Sequence, residues 1–148
     1  MAAALTKTTM SAMQLERAHV EEVMHRGVVS CDAAVSMLTV ARIMAAHRVH
    51  SVVVRAADAL PTMITDREVA TAVYEGAFAA RSAAELAYPA PLVRPDDSLT
   101  FALERMHESA STHAVVVGRS LRLLGIVSIL DVIEALLRER DRMPAKAP

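Results

Sequence analysis

The chain has 148 residues and a formal net charge of −1, with 53% of its residues hydrophobic, 22% charged and 3% aromatic. That apolar share builds a sizeable core and excludes global disorder, while near-neutral charge and few aromatic rings argue against a nucleic-acid partner. A single cysteine, Cys31, excludes an internal disulfide and a multi-thiolate metal site, and no apolar run approaches the ~18 residues of a membrane span.

The first 13 residues carry Ala2 to Leu5 and then Lys7 among three threonines, with no continuous apolar stretch, so they are not a secretory signal. A cytoplasmic chain is expected, with Cys31 as inert packing. Residues 1–19 read as an N-terminal extension, within which 14–24 can begin to pack as a helix. The next stretch, 28–31, is extended. A helix is predicted over 36–47, strands over 51–55 and 62–64 around a short loop, and a helix over 66–75. Residues 77–89 read as a linker, with a short helix near 82–86. The order then returns: an extended segment at 91–94, a helix over 98–108, strands over 113–117 and 123–127, and a helix over 129–140. The tail, 141–148, reads as peripheral. The repeated parts are 20–76 and 90–140.

The return is visible residue by residue. Laid on one another at an offset of 62, Met37, Val40, Ala41 and Met44 coincide with Leu99, Ala102, Leu103 and Met106. Each set follows i, i+3, i+4, i+7, which is one apolar stripe on a helix. Val52 to Val54 fall on Ala114 to Val116, runs of strand type. After a one-residue loop insertion, Met63-Ile64-Thr65-Asp66-Arg67-Glu68 fall on Ile126-Val127-Ser128-Ile129-Leu130-Asp131. Two strands joined by a short loop make a hairpin, and helices cover one sheet face. A unit of some 60 residues is marginal alone, so the two are expected to share apolar faces.

Gly125-Ile-Val-Ser-Ile-Leu-Asp131 resembles the G-h-h-S/T-x-x-D signature that closes a CBS domain, and Val20 to Met24 and Arg94 to Leu99 are similar to the openings of its repeats. The resemblance spans residues 20–138 as a tandem pair, a Bateman module. It implies an α+β fold of two β-α-β-β-α repeats related by a pseudo-twofold axis, clefts between the repeats, and homodimers. It also implies a ligand, an adenosine nucleotide (AMP, ADP or ATP) or S-adenosylmethionine, and no metal. The module is expected to stand alone, without a catalytic domain of its own. The first repeat departs from the signature, with Thr62 in place of glycine and Glu68 in place of aspartate. Its site is expected to be altered, and the second is the stronger candidate.

The chemistry of such a corner suits a nucleotide. Exposed N–H groups and the dipole at a helix start favour an anion, so Ser128 or Thr65 can sit beside a phosphate. One turn on, Asp131, or Glu68 in the first repeat, can accept hydrogen bonds from ribose hydroxyls. Backbone at Ile126 addresses the adenine edge, Gly125 permits close approach, and the resemblance implies a basic phosphate contact at the position of His113, which a protonated imidazole can supply. The same residues read more plainly as capping boxes, since Thr65-x-x-Glu68 and Ser128-x-x-Asp131 stabilise any helix start. His47, His50 and His113 would form a metal site only by converging across a dimer. No nucleophile elbow, phosphate loop or paired carboxylate motif is present, so an enzyme is not expected. Two readings compete: a regulatory sensor acting on an unidentified protein partner, and a ligand-free platform for dimerisation or interaction. The second draws on the eroded first signature and on helix 132–137, apolar on more than one face.

Overall fold

A computed structural model describes residues 12–142. Residues 1–11 and 143–148 lie outside that range, and with them most of the stretch read as no secretory signal and most of the tail read as peripheral. In chain order, residues 12–17 are helical (α1), a 3-10 turn covers Val20–Glu22, and strands β1 (His25–Arg26) and β2 (Ser30–Asp32) follow. Then come α2 (Met37–His47), β3 (Ser51–Arg55), β4 (Thr62–Thr65), α3 (Asp66–Tyr74), α4 (Ala83–Leu86) and β5 (Tyr88–Pro89). The second half holds β6 (Leu92–Val93), α5 (Leu99–Glu108), β7 (His113–Val117), a 3-10 turn at Arg119–Leu121, β8 (Leu123–Ser128) and α6 (Ile129–Arg142). The sequence order of strand, helix, hairpin and helix is thus present twice, an α+β arrangement.

The two compact units are offset from the two repeats. One is residues 27–90; the other joins the N-terminal segment through Arg26 to the chain from Pro91 onward. In the first, the sheet runs β2-β3-β4-β5, with β2 parallel to β3 and the remaining pairs antiparallel. In the second it runs β1-β8-β7-β6, with β6 parallel to β7 and the rest antiparallel. The short strand ahead of each repeat therefore completes the sheet of the other: β1 on β8, and β5 on β4. The register is equivalent in both, His25 opposite Ile126 and Tyr88 opposite Met63.

Both first helices start and stop by the same devices. Ser36 Oγ accepts from Thr39 N at 3.2 Å and Ser98 Oγ from Phe101 N at 3.1 Å, each satisfying an orphan amide at a helix start. At the far ends the chain turns left-handed at Arg48 (φ 53°) and Ala110 (φ 49°). The next amides, Val49 N and Ser111 N, then return to Met44 O and Met106 O at 3.1 and 2.9 Å. The predicted stripes are buried: Met37, Val40 and Met44 pack with Val52, Val54 and Ile64, while Leu99, Ala102 and Met106 pack with Ala114, Val116 and Val127. Each of the larger side chains among them, Met, Leu, Val or Ile, contributes about 1.5–3 kcal/mol by leaving water. Cys31 lies in the first core. Burial pushes its thiol above the usual range, and the neighbouring Asp32 carboxylate adds to the shift.

The helix anticipated within 14–24 is interrupted. α1 stops at residue 17 because Ala18 O is taken by Leu99 N at 3.0 Å and Val20 N by Asp97 O at 2.9 Å. His19 bridges Ser98 in antiparallel fashion. Segment 82–86 makes the corresponding bridge in the other unit, Ser82 with Ser36.

Candidate functional site

The β8–α6 corner brings together most of the candidates of the second repeat. β8 ends at Ser128, directly opposite His113 at the start of β7. Ser128 N donates to Asp131 Oδ2 at 2.7 Å, and Asp131 N donates to Ser128 Oγ at 3.2 Å, a reciprocal cap at the start of α6. Accepting there leaves the Ser128 hydroxyl hydrogen available to donate. Ile129 N is held by Thr112 O at 3.0 Å, which fixes the helix start against the strand beside it. His113 is positioned by its neighbours: its carbonyl accepts from Ser111 Oγ at 2.8 Å and its Nδ1 lies 2.9 Å from Thr112 Oγ1.

Asp131 is only 7% exposed. Its second oxygen is also engaged: His25 Nε2, on β1, donates to Oδ1 at 2.9 Å across 106 residues of sequence. No pattern in the sequence pointed to His25, because a two-residue strand has no periodicity to read. Gly125 allows the close approach of backbone expected of it. A Cβ at that position would collide with the His25 carbonyl oxygen, so the glycine is what lets β1 lie against β8. Gly125→Val is expected to displace β1 and cost about 1–3 kcal/mol by overpacking, read as a lower midpoint in urea.

The first repeat builds its corner differently. Glu68 Oε2 accepts from both Thr65 N and Thr65 Oγ1, each at 2.7 Å. The extra methylene of glutamate lets one oxygen reach both groups, so the Thr65 hydroxyl hydrogen is spent inside the cap. Thr65 is buried and faces Ser51, the position that His113 holds in the second repeat. Thr62 stands in the place of Gly125 and pairs with Pro89 of β5.

The remaining candidates do not assemble. His50 pairs with Asp66 at 3.4 Å on the surface. Among the described residues no group of three or more His, Cys, Asp or Glu side chains is placed to hold a metal ion, and no helix is long and apolar enough to cross a membrane. Two hollows, of about 340 Å³ beside Leu15, Leu99 and Leu136 and about 420 Å³ beside Met44, His50 and Asp66, include neither Ser128 nor Asp131.

Comparison with known proteins agrees with this architecture. Among curated proteins none matches the chain. Of solved structures, a CBS domain protein from Pyrobaculum aerophilum complexed with AMP is 27% identical, with a TM-score of 0.73 over 85% of this chain and 100% of that one. A CBS-domain containing protein from Agrobacterium tumefaciens is also 27% identical, with a TM-score of 0.68 over 79% and 97%. The CBS domain pair of a protein in complex with 5′-methylthioadenosine and S-adenosyl-L-methionine shares the fold at 17% identity, with a TM-score of 0.72 over 83% and 98%. The CBS domain model matches residues 20–75 and again 83–138, the two repeats with their lead-in strands. The chain belongs to the CBS domain family.

Proposed function

We propose that the chain is a regulatory, non-catalytic module of the cytoplasm that binds an adenosine nucleotide (AMP, ADP or ATP) or S-adenosylmethionine at the β8–α6 corner. The observation that carries this reading is Asp131: a carboxylate at the first turn of a helix, beside a serine with a hydroxyl hydrogen to donate. In the proposed pose Asp131 takes ribose hydroxyls, Ser128 and the α6 amides face a phosphate, the backbone at Ile126 meets the adenine edge, and His113 adds positive charge when protonated. The AMP complex of the Pyrobaculum aerophilum relative supports the ligand class. The first corner, where Glu68 consumes the Thr65 hydroxyl, is proposed as the weaker site.

Occupancy reaches a partner protein through a second copy of the chain. Leu130, Ile133 and Leu137 are 62%, 45% and 53% exposed along one stripe of α6, an apolar surface suited to a homodimer. That same stripe supports the competing reading, a ligand-free interaction platform. Thermal unfolding across AMP, ADP, ATP, S-adenosylmethionine and GTP separates the two. A ligand at ~100 times its dissociation constant is expected to add about 2.7 kcal/mol, a rise of several degrees. A folded chain that none of them shifts at millimolar concentration is a platform.

A further inference from the structure

Asp131 does not await a ligand with free oxygens. Oδ2 is committed to the Ser128 amide, and Oδ1 is covered by an imidazole that belongs to neither β8 nor α6. The two partners of that contact differ sharply in exposure: the His25 side chain is 78% exposed and the Asp131 side chain 8%. The cover is thus one ring thick, and solvent reaches it from outside.

The ring that covers Asp131 is carried on a short edge strand. β1 is two residues long and, among the described residues, lies at the edge of its sheet and pairs with β8 alone. The residues leading into it are fixed, since Val20 is fully buried and its amide donates to Asp97 O at 2.9 Å, so the part free to move is the exposed imidazole. On the other side of β1 the chain turns at Gly27, whose φ is 84°.

We propose that His25 is a displaceable latch on the nucleotide site. It holds Asp131 Oδ1 in the empty chain, and a ribose hydroxyl takes its place on binding. The inference rests on the site reading above, and it deepens it by naming the moving part. Binding then has a structural consequence inside the chain: the His25 imidazole leaves the β8–α6 corner and turns to solvent. The latch also sets affinity, since a ligand must first break the His25–Asp131 contact. Removing the imidazole is expected to tighten AMP binding.

The test measures AMP affinity by calorimetry for wild type, His25→Ala and His25→Gln, and follows the imidazole resonances of His25 in wild type by NMR. His25→Ala is expected to bind AMP roughly three- to tenfold more tightly, the worth of one hydrogen bond. His25→Gln, which keeps a donor, is expected to fall between the two. In wild type the His25 signals are expected to move along the binding curve and saturate with it. Unchanged or weaker binding by a folded His25→Ala, or His25 signals that stay fixed while AMP binds, overturns the latch and leaves the site standing. AMP binding to neither wild type nor His25→Ala overturns the site reading, and the latch falls with it.

Discussion

Replacing Asp131 is expected to abolish the thermal shift that a bound nucleotide confers, and the choice of replacement separates its two jobs. In Asp131→Ala the Ser128 amide loses its acceptor and His25 loses its partner. Loss of the cap alone costs about 0.5–2 kcal/mol. The ligand effect is larger: the ~2.7 kcal/mol that a saturating nucleotide adds is lost in full. Asp131→Asn is the sharper variant, because its amide oxygen can still accept from Ser128 and preserve most of the cap. It presents the ribose with one neutral oxygen and one donor in place of a carboxylate. The expected pattern is therefore a near-wild-type melting point without ligand and little or no shift with it. A full nucleotide shift in Asp131→Asn would mean that the corner is only a helix cap and that the ligand is held elsewhere.

The second large effect is expected in the core, at Leu99→Ala. Leu99 is 1% exposed, sits at the first turn of α5, and packs with Met106, Val116 and Val127. Truncation leaves a cavity with rigid neighbours, at about 2–5 kcal/mol. Its counterpart Met37 is equally buried in the other unit. Met37→Ala is expected to cost a similar amount, read by urea denaturation. A loss below ~1 kcal/mol at either position would mean that its stripe collapses around the gap, which close-packed interiors resist.

What the sequence made legible follows the range over which each signal acts. The stripes on α2 and α5 are local patterns, so both helices and their buried faces were readable from Met37 to Met44 and from Leu99 to Met106. The hairpins were readable from their valine runs and short loops. The ends of α2 and α5 were harder, because the left-handed positions are Arg48 and Ala110, where a glycine would have announced them. β1 and β5 were not legible at all. His25-Arg26 and Tyr88-Pro89 share no side-chain chemistry, and only the register across a distant hairpin makes them equivalent. The candidate site divides in the same way. Ser128 and Asp131 were readable as a spacing, and so was the alternative meaning of that spacing as a cap. His25 arrives from 106 residues away, carried by a pairing that no local pattern encodes. Gly125 was readable as a position that needs no side chain, although the neighbour that demands it is the protein's own backbone.

The exchange of lead-in strands bears on how such a chain can be divided. A fragment cut at the repeat boundaries carries a hairpin with an open edge and a short strand that belongs on someone else's sheet. Two copies of that fragment complete each other, each lending its leading segment, which is the logic of a domain swap. In this chain the exchange is made within one molecule, and the two corners it supports differ, one built on Asp131 and the other on Glu68.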